Sequence, residues 1–190
     1  ADLRREESES NVPKLEGSDD ISLMLRHLYK PVICKIQGSV LAGALLMVTN
    51  STHAVAVQEA KFSAPEILRG LWPHMVMAGL FRVMPKRAGL DFVMRGQSID
   101  AKQAKEWGLI NEFVRAEELD DYVNKLSEEL ASLAPGTMSF GLEAYEKQDA
   151  MAFDEALPFL QKQIAKTFEG SDAKEGIAAF LEKRKPNWDK

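Results

Sequence analysis

Residues 35–49 read KIQGSVLAGALLMVT, and residues 61–71 read KFSAPEILRGL. The first run has the form of a buried strand, a glycine turn and a short apolar helix. Gly38 and Gly43 stand where backbone must come close to something. The second run delivers one carboxylate, Glu66, directly after Pro65 and among Phe62, Ile67, Leu68 and Leu71. A backbone N–H at a helix start and one carboxylate in apolar surroundings are the minimum equipment for enolate chemistry. Each half also has a plainer reading. The glycines can serve tight strand–helix packing, and a glutamate at a helix start can simply answer the dipole.

Working outward, Ser18-Asp19-Asp20 can cap a helix reaching about Tyr29, with Ile21, Leu25 and Leu28 on one face and Pro31 ending it. Residues 32–36, 53–57 and 61–64 have the composition of short strands. Residues 42–48 are too apolar for a surface helix, which predicts burial all round. Helices are expected at 75–84 and 86–95, separated by Pro85, and at 101–107, capped by Asp100 and stopped by Gly108. Residues 111–115 form a further strand candidate. From Glu117 the pattern is helical, over 117–133 and then, past Pro135-Gly136, over about 137–149, 152–169 and 172–184. Residues 3–19 are charged and poor in large apolar side chains, the composition of a mobile loop.

The 190 residues suffice for one sizeable domain, and their 45% hydrophobic and 28% charged composition is that of a globular protein. A net charge of −5, with both signs interspersed, argues against general nucleic-acid binding but permits local basic patches for a phosphorylated ligand. One cysteine, Cys34, allows no intrachain disulfide, and nothing beside it in sequence would activate it as a nucleophile. No apolar run reaches membrane-spanning length and no signal peptide is recognisable, so the expected location is the cytoplasm or, in a eukaryote, the mitochondrial matrix, without secretion. The three histidines show no metal-ligand spacing, and no P-loop or Ser–His–Asp phrase occurs.

Four segments, in order, resemble the crotonase (enoyl-CoA hydratase/isomerase) superfamily: KPVICKIQGSVLAGALL at 30–46, KFSAPEILRGLWP at 61–73, MRGQSIDAKQAKEWGLINEFV at 94–114 and FLEKRKPNW at 180–188. The resemblance covers nearly the whole chain. It implies an α/β fold, a spiral of β-β-α turns followed by a C-terminal helical region used for trimerisation. Residues 1–115 would be the later portion of the spiral and 116–190 the trimerisation region, the family's first strands lying before Ala1. It further implies acyl-CoA thioester substrates, with CoA arriving as part of the substrate and no separate cofactor or metal, and a homotrimer or hexamer.

By the same resemblance, the thioester enolate would be held between two backbone N–H groups. One belongs to Ala1, in the phrase Ala1-Asp2-Leu3, and the other to Gly43. The family's flanking glycines are replaced here by Ala42 and Ala44. Glu66 matches the family's general acid/base. Leu46 is the principal departure, because hydratases of the family carry a second glutamate there. One carboxylate can still move a proton between two carbons, as the family's isomerases do. Trp72, His74 and Met75, with Leu46, would line the acyl pocket, where His74 is either an auxiliary acid/base or a packing residue. Arg4, Phe180 and Lys183 match positions that approach CoA; Lys183 can equally answer its helix dipole. Single-glutamate isomerisation is thus favoured over hydration. The rivals are a catalytically silent acyl-CoA-binding homologue and another reaction of the superfamily, thioester hydrolysis or decarboxylation.

Overall fold

The structure, a computed structural model, describes residues 20–188. Ala1, Arg4 and the predicted loop at 3–19 lie outside the described residues. The described chain divides into two compact units, one of residues 20–25 and 32–123, the other of 26–31 and 124–188.

In the first unit the elements follow the order α1 (Ile21–Arg26), β1 (Ile33–Ile36), β2 (Val40–Leu41), a 3-10 turn Ala42–Ala44, α2 (Leu45–Thr49), β3 (His53–Val57), β4 (Lys61–Ser63), a 3-10 segment Pro65–Arg69, α3 (His74–Val83), α4 (Lys86–Arg95), β5 (Ile99–Asp100), α5 (Ala101–Glu106) and β6 (Glu112–Val114). Two small sheets result. β1, β3 and β6 are parallel in the order β1-β3-β6, and β2 pairs parallel with β4, which pairs antiparallel with β5. Ala54 to Val57 of the central strand β3 are all buried, which explains why HAVAV carries no polar alternation after its first residue. Leu45, Phe62, Leu80, Phe92, Val93 and Leu119 are among the most deeply buried side chains of the core.

Local chemistry sets many of the boundaries. Asp100 caps α5 by accepting a hydrogen bond from the Gln103 N–H at 2.8 Å. Asn111 prolongs the β6 pairing, its side chain accepting from the Ala54 N–H at 2.7 Å and its own N–H donating to the Ala54 carbonyl at 2.9 Å. α2 and α3 touch almost at backbone distance, since a Cβ on Gly79 would lie 2.5 Å from Thr49 Oγ1.

Several expectations are corrected. α1 ends at Arg26, three residues short of Tyr29, whose left-handed φ of 49° cannot continue a right-handed helix. The segment 42–48 is not buried all round. It begins as a 3-10 turn, and Met47 is exposed while Leu45, Val48 and Thr49 are buried. β2 and β5 have only two residues each, too short for any periodicity to register.

The second unit is helical, with α6 (Leu119–Ala131) entering it from the first, then α7 (Pro135–Gln148), α8 (Phe153–Glu169) and α9 (Ser171–Leu181). The last three pack on one another. Arg26 is tied into this unit by Glu146 at 2.6 Å and Asp149 at 3.3 Å. Past α9 the Trp188 indole N–H donates to the Ser132 carbonyl at 2.9 Å.

Candidate active site

Gly43 and Glu66 leave the second sheet side by side. β2 and β4 are parallel neighbours in the register Val40 with Phe62 and Leu41 with Ser63. Gly43 stands two residues beyond Leu41 and Glu66 three residues beyond Ser63, so both follow the C-terminal ends of adjacent parallel strands. Paired strands lie about 4.8 Å apart. Two segments released from that edge in the same direction are placed to share one site.

Gly43 is the middle residue of the Ala42–Ala44 turn, which leads directly into α2. Its N–H belongs to the first turn of that helical run, where N–H groups find no partner inside the helix. A Cβ built on Gly43 would meet nothing within 4 Å, so the space beside its α-carbon is open. Ala42, just before it, has φ 50°. This is the left-handed region that favours glycine, and it is one of the two places where the resemblance marks alanine for glycine.

Glu66 lies on the 3-10 segment, with Pro65 at its first position and Gly70, φ 71°, closing it. The Leu71 N–H donates to the Glu66 carbonyl at 3.1 Å and the Gly70 N–H to that of Ile67 at 3.1 Å. One oxygen of the carboxylate is not satisfied: Oε2 is buried and has no hydrogen-bond partner among the described residues. A buried carboxylate oxygen without a donor is costly in a folded chain and calls for a role. It distinguishes Glu66 from a glutamate that merely answers a helix dipole, which would be solvated or bonded to N–H groups.

Leu46 follows Gly43 by three residues on the same helical run, and so shares its face. It is half-buried and its side chain carries no acid or base. α3 packs against both the Ala42–Ala44 turn and α2. On or before α3 stand the other predicted pocket residues. Trp72 is half-buried and its indole N–H donates to Met77 Sδ at 3.4 Å; His74, the first residue of α3, is exposed, and Met75 is 62% exposed. Among the described residues, a cleft of about 220 Å³ opens between α4 and α5 and another of about 260 Å³ at the starts of α7 and α9, and neither is lined by Gly43 or Glu66.

In the second unit, Phe180 is 82% exposed near the end of α9, and Lys183 follows with φ 54°. Arg184 is already occupied, by both carboxylate oxygens of Glu175 and by Glu182 at 2.6 Å. These bonds raise the Arg184 pKa and remove this side chain from the basic residues free to meet a phosphate.

Sequence reading alone missed the pairing from whose adjacent strands the two segments emerge, since β2 is two residues long. It also missed the Ser63 hydroxyl, which donates a buried hydrogen bond to the Gly96 carbonyl at 3.1 Å. A serine beside Phe62 in an apolar strand was the available signal.

The profile of the enoyl-CoA hydratase/isomerase family matches residues 2–190. A probable enoyl-CoA hydratase of Bacillus subtilis is 31% identical over 189 residues, covering 92% of this chain and 72% of its own length. The mitochondrial enoyl-CoA hydratase domain-containing protein 3 of Rattus norvegicus is 25% identical over 169 residues, 89% of this chain and 56% of its own. Among solved structures, an enoyl-CoA hydratase of Mycobacterium smegmatis superposes with a TM-score of 0.85 at 27% identity, covering 89% of this chain and 66% of that one. The chain thus spans 56% to 72% of the length of these relatives, and its α/β architecture is theirs. By its sequence over residues 2–190 and by its fold, the chain belongs to the enoyl-CoA hydratase/isomerase family, the crotonase superfamily.

Proposed function

We propose that this chain carries the enolate-handling centre of an acyl-CoA enzyme, with Glu66 as the proton carrier and the Gly43 N–H as an oxyanion donor. The observation that carries this reading is the buried, unpartnered Oε2 of Glu66 on the segment that emerges beside Gly43. In the proposed reaction the Glu66 carboxylate takes a proton from C2 of a 3-enoyl thioester. The C–H electron pair moves into the carbonyl, and the oxygen accepts a hydrogen bond from the Gly43 N–H. Glu66 then returns the same proton to C4, giving the 2-enoyl thioester. One such oxyanion donor contributes about 3–4 kcal/mol to the transition state. Ala1, in the matching A-D-L phrase, would supply the second donor.

Leu46 favours isomerisation over hydration. Adding water across a double bond needs one group to take a proton from the water and another to protonate carbon, and Leu46 supplies neither. CoA enters as part of the substrate, and Arg4, Phe180 and Lys183 would approach it. The exposed residues Phe153, Leu157, Leu160, Ile164 and Phe168 recur at spacings of three and four along α8. That apolar stripe supports a second copy of the chain as its cover, in a homotrimer or hexamer.

The test is the conversion of 3-enoyl-CoA to 2-enoyl-CoA by wild type and Glu66→Gln. Wild-type turnover, with a loss of at least about 100-fold in the variant, is expected from removal of a general acid/base. A variant as active as wild type would refute the role of Glu66.

A further inference from the structure

We infer that Ser63 is a positioning residue for the Glu66 carboxylate, acting through a strut between the end of β4 and the C-terminus of α4. This inference rests on the reading of Glu66 given above.

The 3-10 segment that carries Glu66 has little stiffness of its own. It is five residues long, its start at Ala64 has no side-chain cap, and short 3-10 stretches have poor internal hydrogen-bond geometry. Its position must therefore be imposed from outside. Ser63 is three residues before Glu66, is only 5% exposed, and is one of two buried polar side chains among the described residues. Its hydroxyl donates to the carbonyl of Gly96, 33 residues away in sequence.

Gly96 is the C-cap of α4, with φ 59°, and its N–H donates back to Phe92 at 3.2 Å. Glycine is required there twice over. The left-handed φ disfavours a side chain, and a Cβ would lie 2.8 Å from Ile67 Cγ2, 3.1 Å from Leu68 Cγ and 3.4 Å from the Ala64 carbonyl oxygen. Ile67 and Leu68 are the residues immediately after Glu66. One glycine thus presses its α-carbon against the residues just beyond Glu66 and accepts a hydrogen bond from Ser63, three residues before it. α4 packs along the same segment. Removing the hydroxyl frees one of these two constraints, and a displacement of about 1 Å at a reacting group can cost about 100-fold in rate.

The test uses the full chain as wild type, Ser63→Ala, Ser63→Thr and Ser63→Cys. Two quantities are measured: kcat and KM for isomerisation of a 3-enoyl-CoA, and the 13C chemical shift of the Glu66 carboxyl carbon in selectively labelled protein without substrate. Glu66→Gln assigns that signal by its disappearance. Ser63→Ala is expected to lower kcat by about 10-fold or more, to leave KM within about twofold, and to move the carboxyl signal. Ser63→Thr, which keeps the hydroxyl, is expected to restore both. If Ser63→Ala does not fold, Ser63→Cys carries the same comparison, since a thiol is a weaker donor of similar size. An unmoved carboxyl signal in a folded variant, or a loss expressed in KM alone, would overturn the inference. If the wild type turns over no enoyl-CoA, it is the catalytic reading that fails, whereas the strut still stands or falls on the carboxyl signal.

Discussion

Leu41 and Ser63 are register partners on adjacent parallel strands. That single pairing makes neighbours of two loops separated by some twenty residues of sequence. Beyond Leu41 the chain turns through Ala42 into Gly43; beyond Ser63 it turns through Pro65 into Glu66. Ligand sites of α/β proteins gather outside the carboxyl ends of parallel strands because both chains must turn there and expose backbone groups. Here the two turns supply an N–H donor and a carboxylate.

The turn before Gly43 is strained, and relieving it should show. Ala42 holds φ 50°, where an L-residue other than glycine costs roughly 1–2 kcal/mol. Ala42→Gly removes that cost but gives the unfolded chain more freedom, worth about 0.4–1 kcal/mol against it. The expected net effect is stabilisation by about 0.5–1 kcal/mol in urea unfolding at unchanged m-value. A destabilised variant would mean that the Ala42 methyl packs more favourably than its backbone suffers.

The helices were legible in the sequence because burial and periodicity coincide in them. Lys86–Arg95 and the start of α5 at the Asp100 cap fall where spacing and capping put them. The central strand β3 was legible for the same reason, as an unbroken apolar run. Motif context was enough to single out Gly43 and Glu66 as candidates. Their proximity was not legible, because it depends on β2, whose two residues carry no period. Nor was the Ser63–Gly96 bond, which is a matter of tertiary geometry between residues 33 apart. The segment 42–48 was misjudged because apolar composition does not distinguish a core helix from one that turns Met47 outward.

Leu46 offers a gain-of-function test. It is half-buried and shares a face with Gly43, so a glutamate there can reach the same space without being forced into the core. Leu46→Glu should raise formation of 3-hydroxyacyl-CoA from 2-enoyl-CoA and water by about 10-fold or more, by supplying the second acid/base group. Stability should fall by about 1–2 kcal/mol from partial burial of the charge. A folded variant that shows the proposed isomerisation but no gain in hydration would show that position 46 does not face the reacting carbons.

Cys34 should be a poor thiol nucleophile. It lies on β1, half-buried, and burial raises its pKa while a hydrogen bond from Ser51 only partly opposes that shift. The thiolate, not the thiol, reacts with alkylating reagents. Iodoacetamide at neutral pH is therefore expected to modify the native protein more slowly than free cysteine, and urea should remove the difference. Equal rates in native protein and in urea would count against this description.

Lys105 and Glu112 provide a stability probe whose sign is fixed by their geometry. Lys105 Nζ on α5 reaches both carboxylate oxygens of Glu112 on β6, at 2.6 and 2.7 Å, and sits 5.8 Å from the Phe113 ring centroid. The hydrogen bond from Lys105 lowers the Glu112 pKa below its ordinary value. Partial burial opposes that shift, and the Phe113 N–H at 3.0 Å adds to it. A carboxylate whose folded pKa is depressed contributes stability above its unfolded pKa and loses it as pH falls through the folded value. Glu112→Gln keeps an acceptor for the Phe113 N–H and nearly the same shape, so it removes mainly the charge. With both side chains part-exposed, the variant should be less stable by about 0.5–1 kcal/mol at pH 7. That difference should hold down to about pH 4.3, the ordinary glutamate value, and vanish below it. Parallel urea titrations of the two proteins at successive pH values measure it directly. A gap that stayed constant into strong acid would assign the loss to packing, not to the ion pair.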